Sequence, residues 1–309
     1  MSVTKSRILF HEYALSPFSE KLRRVFGYKG IAYASVDQPM WMPKPHLTPM
    51  TGGYRRIPVM QIGADVYCDT TLIARKIEQL HPDRPILPSA LEGVVHAAEL
   101  WADKQLFAAC VPIVFTGLAS MLPAELMEDR KRMRPDLNPE LLTRAVPTCL
   151  ATLTAACERL ERTFEAQAFW LGKEFTLADA ALFHCLWFVR NAPAGGAVLA
   201  RYPRLGEWLK RLEAYGSGTP EVLAAEEALA IARRSEPGEE PLGRAAAEDG
   251  TGVKLGDAVA ICSDDLPQDV FRGNVVALTT EELVIERETD DIGRIRQHFP
   301  RTGYVVQRA

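Results

Sequence analysis

The alternation of apolar and polar positions at the start of the chain predicts a short β-α-β unit. Residues 7–10 and 32–37 are short apolar runs, which are typical of buried strands. Between them, Ser16 is a good helix N-cap and Pro17 suits the first helical position, and an apolar stripe follows at helical spacing. A strand, a helix and a second strand in this order begin a parallel sheet.

A proline- and glycine-rich stretch, residues 39–53, follows this unit. Three of its prolines lie within seven residues, so we expect a long loop rather than a regular helix. The apolar runs at 58–62 and 66–68 flank a turn and predict a β-hairpin. A helix should follow, capped by Asp69 or Thr70.

The middle of the chain has the period of helices. Residues 81–88 carry three prolines and suit a linker, and residues 91–232 are helical in pattern throughout. Thr176 and Asp179 have the spacing of a capping box before a very apolar segment, which belongs in the centre of a bundle. A last helix is expected from residue 220 to 234.

The period changes again near the end of the chain. Residues 236–252 contain five acidic residues, four glycines and two prolines, which is the composition of a linker. Residues 253–309 form five short, β-branched and partly alternating runs separated by Gly or acidic turns. Five such strands in under 60 residues predict a small barrel of the SH3-like kind.

Composition restricts the function classes. The 36 basic and 40 acidic residues give a net charge of −4, which does not predict a general surface for nucleic acid or anionic membranes. The six cysteines include no C-x-x-C pair and the six histidines lack ligand spacing, so we expect no metal site. Free cysteines, no signal-peptide pattern and no long apolar run favour a cytoplasmic protein. The 309 residues exceed the roughly 240 that two ordinary domains use.

Four segments resemble motifs of the glutathione transferase superfamily. They are Ser16-Pro-Phe-Ser-Glu-Lys, Arg55-Arg-Ile-Pro-Val-Met, Cys68-Asp-Thr-Thr-Leu-Ile and Thr176-Leu-Ala-Asp179. The first is similar to the S-P-F motif of the tau-class and related serine-type enzymes. The four occur in the right order and at the right separations, and the resemblance covers about residues 7–215.

The patterns and the resemblance together predict the division of the chain. The parts are a thioredoxin-like α/β domain (1–85), an all-α helical bundle (86–235), an acidic linker (236–252) and a small all-β, SH3-like barrel (253–309). The barrel is not part of the common family layout. Its seven basic and ten acidic residues do not favour nucleic acid, so we expect an addition that packs on the body or supports a dimer.

Ser16 is the first candidate for the catalytic residue. The free N–H groups and dipole of a helix N-terminus favour an anion, and a hydroxyl that donates to a thiolate lowers the pKa of the thiol. The alternative is that Ser16 only caps the helix. Tyr13 is the second candidate, because other classes use an early tyrosine. Ser19 is a third: serines stand at both cysteine positions of the C-P-x-C redox motif, which excludes mixed-disulfide chemistry.

The resemblance also implies the residues that bind the peptide. The Ile57–Pro58 bond would be cis and would turn the backbone of Ile57 towards the cysteinyl backbone of glutathione. Arg56 would pair with the glycyl carboxylate, and Phe18 of the S-P-F motif is grouped with the substrate-binding residues. The alternatives are a trans proline at the start of an edge strand and a solvated surface arginine.

Asp69 and Thr70 replace the Glu-Ser pair that is commoner in the family. Thr70 would hold the γ-glutamyl carboxylate and Asp69 would accept from the ammonium group, unless both serve only as a helix cap. Asp is one methylene shorter than Glu and Thr adds a methyl group, so the departure bears on the affinity for glutathione.

The expected function is therefore that of a glutathione transferase, with glutathione as co-substrate and no metal. Its thiolate would attack a small apolar electrophile held by the helical domain, in a detoxification role. A cytoplasmic homodimer is the expectation from the family, with no nucleic acid or membrane partner. The alternative is a non-catalytic glutathione-binding or protein-interaction module on the same scaffold, and a third possibility is isomerase or hydrolase chemistry with glutathione as cofactor.

Overall fold

The computed structural model describes residues 7–134, 138–246 and 250–309. The chain divides into two compact units that do not follow chain order. One, here called the sheet unit, contains the described residues up to 19 together with 32–80 and 219–309. The other, the helical unit, contains residues 20–31 and 81–218.

All ten strands named here belong to the sheet unit and form one sheet. Their bounds are β1 (Leu9–Glu12), β2 (Ala32–Asp37), β3 (Val59–Ile62), β4 (Asp65–Cys68), β5 (Thr219–Val222), β6 (Ala258–Ser263), β7 (Leu266–Leu278), β8 (Glu282–Thr289), β9 (Gly293–Pro300) and β10 (Tyr304–Arg308). The strand order is β10-β6-β7-β8-β9-β4-β3-β1-β2-β5. β1 pairs with β2 in parallel, whereas β1 with β3 and β3 with β4 are antiparallel, so the predicted β-α-β unit and hairpin are confirmed.

Helices occur in both units. They are α1 (Pro17–Lys29), α2 (Thr48–Thr51), α3 (Thr70–Leu80), α4 (Glu92–Leu100), α5 (Phe107–Gly117), α6 (Ala124–Met133), α7 (Pro139–Ala166), α8 (Leu177–Arg190), α9 (Pro193–Leu199), α10 (Pro203–Glu213) and α11 (Ala225–Arg234). A π-helical stretch, Trp101–Leu106, joins α4 to α5. In the described residues, no helix is both long enough and apolar enough to cross a membrane.

Two expectations about local structure are wrong. The proline-rich stretch 39–53 is not loop throughout, because α2 forms one helical turn in it, with a proline at the start of the turn where no N–H is needed. The predicted helix from residue 220 begins at Ala225 instead. Residues 219–222 form β5, which pairs in parallel with β2.

The helical unit contains the predicted capping box at the start of α8. Asp179 Oδ2 accepts hydrogen bonds from the Thr176 N–H at 3.0 Å and from the Thr176 hydroxyl at 3.1 Å. Asp179 Oδ1 accepts from the indole N–H of Trp208 at 3.2 Å. Nearly every side chain of α8 is buried, as expected for the centre of a bundle.

The five strands predicted at the end of the chain are present as β6–β10, and they extend the sheet of the N-terminal part. Neighbours from β10 to β9 are antiparallel, and β9 pairs in parallel with β4. One apolar core joins these strands to the hairpin, since Val59 and Val66 pack in the same cluster as Phe271 and Phe299. Whether β6–β10 close as an SH3-like barrel stays a prediction, as do the domain boundaries.

Candidate active site

The register of the sheet brings three of the predicted site segments to one edge. The first residue of β3 is paired both with the last residue of β4 and with the third residue of β1. The chain therefore leaves β1 and β4, and enters β3, at the same edge of the sheet, which here means the edge formed by these three strand ends. Ser16, Pro58 and Thr70 lie within a few residues of these three strand ends.

Ser16 is the N-cap of α1, as its position in the sequence predicts. Its side chain is buried, and its Oγ accepts a hydrogen bond from the Ser19 N–H at 3.1 Å. The Ser16 N–H donates to the Tyr13 carbonyl at 3.0 Å, which fixes the turn before the helix. A hydroxyl that accepts a backbone hydrogen bond keeps its own proton for donation, so capping and binding of an anion are compatible roles.

The two rivals of Ser16 lie on either side of it. Tyr13 is half-buried in the turn that follows β1. The Ser19 side chain is buried, and within residues 7–134, 138–246 and 250–309 its hydroxyl oxygen has no hydrogen-bond partner. Phe18 is half-buried in the first turn of α1.

The Ile57–Pro58 peptide bond is cis, as predicted. Pro58 comes directly before β3, which is paired with β1 on one side and with β4 on the other. Ile57 packs against the apolar core that the hairpin shares with β6–β10. The backbone of Ile57 is thus held just beyond the end of a strand that lies inside the sheet.

Arg56 forms an ion pair within the chain. Its Nη2 donates to Asp265 Oδ1 at 2.5 Å, and the two side chains are 28% and 38% exposed. Asp265 lies in the turn between β6 and β7. Next to this pair, the hydroxyl groups of Tyr54 and Tyr304 are 3.2 Å apart and hydrogen-bonded.

Asp69 and Thr70 mark the start of α3. Asp69 has a positive φ of 79°, a conformation that Asp tolerates better than most residues. Its Oδ1 accepts from the Thr71 N–H at 2.9 Å, and its carbonyl accepts from the Ile73 N–H at 3.0 Å. Thr70 is buried as the first residue of the helix. The acid therefore caps α3 and also places a carboxylate at the edge where β4 ends.

Two titratable groups near this edge are held neutral by burial. His11 bonds through Nε2 to Gln61 at 2.9 Å and through Nδ1 to Gln38 at 3.2 Å. Burial lowers the pKa of His11 to about 4, although the hydrogen bond to the Gln61 amide oxygen opposes the shift. Burial likewise raises the pKa of the Cys68 thiol. Neither group is therefore charged at neutral pH.

Sequence reasoning missed the part that the C-terminal strands play here. Asp265 and Tyr304 contact Arg56 and Tyr54 across more than two hundred residues of sequence. Gln297 of β9 donates to the Thr51 carbonyl at 2.6 Å. No local pattern in the sequence signals these contacts, because each depends on how distant strands pair.

Comparisons with known proteins show the family to which the chain belongs. A family profile described as "Glutathione S-transferase, N-terminal domain" matches residues 10–85, and one described as "Glutathione S-transferase, C-terminal domain" matches residues 136–211. The crystal structure of a GST-like protein from Pseudomonas syringae is 33% identical, with a TM-score of 0.82, over 98% of this chain and 100% of that chain. The chain belongs to the glutathione S-transferase superfamily.

Other relatives of this transferase-superfamily protein are more distant. The "Glutathione S-transferase U4" of Arabidopsis thaliana is 27% identical over 104 residues, which are 34% of this chain and 46% of that protein, about half its length. A tau-class glutathione S-transferase from mango is 18% identical with a TM-score of 0.52, over 74% of this chain and 97% of that one, which shows the fold alone.

The match to the Pseudomonas syringae structure reaches beyond the two transferase domains. Because it spans 98% of the chain, it includes most of β6–β10, the part that the family profiles leave out. Among the residues that the structure describes, no group of three or more His, Cys, Asp or Glu side chains is arranged to hold a metal ion.

Proposed function

We propose that this superfamily member binds glutathione at the shared edge of β1, β3 and β4 and transfers its thiolate to a small apolar electrophile. The observation that carries the proposal is the convergence of the Ser16 cap, the cis Ile57–Pro58 bond and the start of α3 at Thr70 on that edge. These three features would meet the cysteinyl thiol, the cysteinyl backbone and the γ-glutamyl end of one extended tripeptide.

Ser16 acts on the thiol in this proposal. A thiol of ordinary pKa, about 8.5, is mostly protonated at neutral pH. Donation from the Ser16 hydroxyl, together with the dipole of the 13-residue helix α1, favours the thiolate. The thiolate sulfur then forms a bond to the electrophilic carbon, and the leaving group departs with its electron pair, or an added proton neutralises the carbanion.

The remaining residues fix the peptide. The backbone of Ile57 pairs with the cysteinyl residue, as an added strand would pair with β3. Thr70 and the N-terminus of α3 hold the γ-glutamyl carboxylate, and Asp69 accepts from the ammonium group. Arg56 lies on the side of the glycyl end, and Phe18 contributes apolar surface beside the thiol. Cytoplasmic location and assembly as a homodimer belong to the same proposal.

The test combines calorimetric titration of glutathione with conjugation assays on a panel of electrophiles. Replacing Ser16 by Ala should lower kcat/KM by about 100-fold, since a shift of about two pKa units in the bound thiol is worth about 2.7 kcal/mol. Ser16→Thr, which keeps a hydroxyl, should recover part of the rate. The acid limb of the pH–rate profile, which reports ionisation of the bound thiol, should shift to higher pH in Ser16→Ala only.

Two results would contradict this proposal. Absence of glutathione binding at millimolar concentration would remove the site itself. Unchanged turnover in Ser16→Ala, with loss in Tyr13→Phe or Ser19→Ala, would transfer the role to that hydroxyl.

A non-catalytic glutathione-binding or interaction protein is the second candidate. The Arg56–Asp265 pair favours it, because a cation expected to receive the peptide already has a carboxylate partner in the chain. Tight binding of glutathione without turnover of any electrophile in the panel would identify this candidate.

A further inference from the structure

The ion pair between Arg56 and Asp265 changes the charge at one end of the proposed glutathione site. Arg56 is the residue nearest in sequence to the cis Ile57–Pro58 bond that carries a positive charge. Asp265 lies 2.5 Å from its guanidinium, so the pair presents no net charge to a ligand. We propose that Asp265 makes the site select γ-glutamyl thiol peptides whose carboxyl end is uncharged, such as amides. This inference rests on the proposed function, in which Arg56 faces that end of the peptide.

A free carboxylate and a primary amide at the end of the peptide have nearly the same shape but differ in charge. A free glycyl carboxylate must either displace Asp265 from Arg56 or lie beside it as a second anion, and both options cost free energy. A primary amide meets neither difficulty. Its carbonyl oxygen can accept from the guanidinium of Arg56, and its N–H group can donate to the carboxylate of Asp265.

The position of Asp265 is fixed by the fold around it. The neighbouring Asp264 N–H donates to the Gly303 carbonyl at 3.0 Å, which ties the β6–β7 turn to the turn before β10. β9 is paired with β4, and the strands β6–β10 share one apolar core with the hairpin. Moving Asp265 away by undocking these strands would expose that core to water.

Contacts between side chains and backbone hold the same strands against helix α2, which precedes Arg56 in the chain. Arg287 donates to the Met50 carbonyl at 2.9 Å, and Gln297 donates to the Thr51 carbonyl at 2.6 Å. Asp265 is therefore a fixed element of the site, which favours a role in specificity over one as a gate that opens for each ligand.

The test uses two probes, glutathione and its glycinamide analogue, titrated calorimetrically into the full chain. In the wild type, the amide should bind at least as tightly as glutathione. Asp265→Asn should raise the affinity for glutathione by about tenfold, which corresponds to one hydrogen bond to a charged group. The affinity for the amide should change by less than about threefold. Arg56→Gln removes the positive charge beside Asp265 and should make the protein bind the amide about tenfold more tightly than glutathione.

Asp290→Asn is the matched control, because it removes one negative charge from an exposed turn of the same strands and does not contact Arg56. It should leave the ratio of the two dissociation constants unchanged. The inference is overturned if the wild type prefers glutathione by about threefold or more, or if Asp265→Asn leaves the ratio as it is. If neither probe binds any variant, the proposed function fails as well, and this distinguishes the two failures.

Discussion

The buried histidine that connects β9 to β4 yields a quantitative prediction about stability and pH. His298 is fully buried, with Nε2 at 2.9 Å from Asp65 Oδ1 and Nδ1 at 3.3 Å from Glu282 Oε2. Carboxylates on both ring nitrogens are satisfied only by the imidazolium form, in which both nitrogens donate. Burial alone would lower the pKa of His298, but the hydrogen bonds and charges of Asp65 and Glu282 raise it.

The sign of the pH dependence follows from these directions. A histidine with a raised pKa contributes stability that is complete below its ordinary value of 6.5 and is lost as pH rises through the folded-state pKa. Burial alone would raise the pKa of Asp65, but the hydrogen bond to His298 and its charge lower this pKa below 3.8. The contribution of Asp65 to stability is therefore lost only in acid. Both His298 and Asp65 therefore stabilise the fold between pH 3.8 and pH 6.5. Above 6.5, the free energy of unfolding should fall by up to about 1.4 kcal/mol per pH unit.

Replacing His298 by Gln should remove this slope and lower stability near pH 6. Removal of one partner from a buried ion pair costs about 3–5 kcal/mol, and we expect the lower end of that range. The reason is that Asp65 Oδ2 keeps a hydrogen bond from the Gly238 N–H at 2.7 Å, and Glu282 Oε1 keeps one from the Leu242 N–H at 2.7 Å.

The measurement is urea unfolding followed by circular dichroism at several pH values from 5.5 to about 9. His46→Gln is the control, since His46 is 34% exposed in its ion pair with Glu226 and should change stability by less than about 0.5 kcal/mol while keeping the slope. The reasoning is refuted if the free energy of unfolding changes with pH in the same way for the wild type and for His298→Gln, because the histidine would then carry no extra proton in the folded state.

Three further substitutions concern the helical unit, and thermal unfolding measures their effect on stability. The Lys21 ammonium is fully buried, 2.7 and 2.6 Å from two carboxylate oxygens, so Lys21→Met should destabilise the protein by about 3–5 kcal/mol, and a loss under about 1 kcal/mol would contradict this. A Cβ at Gly27 would lie 2.2 Å from the Gly216 carbonyl oxygen, so Gly27→Ala should cost about 1–3 kcal/mol. Gly206→Ala meets no atom within 4 Å inside α10, so it should instead stabilise by about 0.5–1 kcal/mol, and equal signs for the two glycine variants would count against the argument.

The features that sequence predicts well are those encoded by neighbouring residues. Ser16 before Pro17 and Thr176 before Asp179 are local caps, and both are present in the structure. The hairpin is equally local, because its two apolar runs are separated by a short turn. Such features need only the backbone chemistry of a few consecutive residues.

The features that sequence misses have no local signal. The four side chains of β5 are all exposed, so the strand shows no alternation of apolar and polar positions, and it exists through its pairing with β2. The pairing of β9 with β4 also uses backbone N–H and carbonyl groups, which every residue other than proline offers. The contact of Arg56 with Asp265 then depends on that pairing, and neither residue signals it alone.

The strands that make this chain longer than an ordinary transferase therefore have a structural and a chemical role that are linked. β9 covers the side of β4 that would otherwise be an open sheet edge, with unpaired backbone groups. The same strands bury the apolar face of the hairpin and carry the turn that places Asp265 against Arg56. A deletion of these strands would remove Asp265 from Arg56, but it would also expose the shared apolar core and the backbone groups of β4 to water. A single substitution at Asp265 changes only the charge beside Arg56. The proposed specificity can thus be tested by substitution at Asp265 without disturbing the pairing of the sheet.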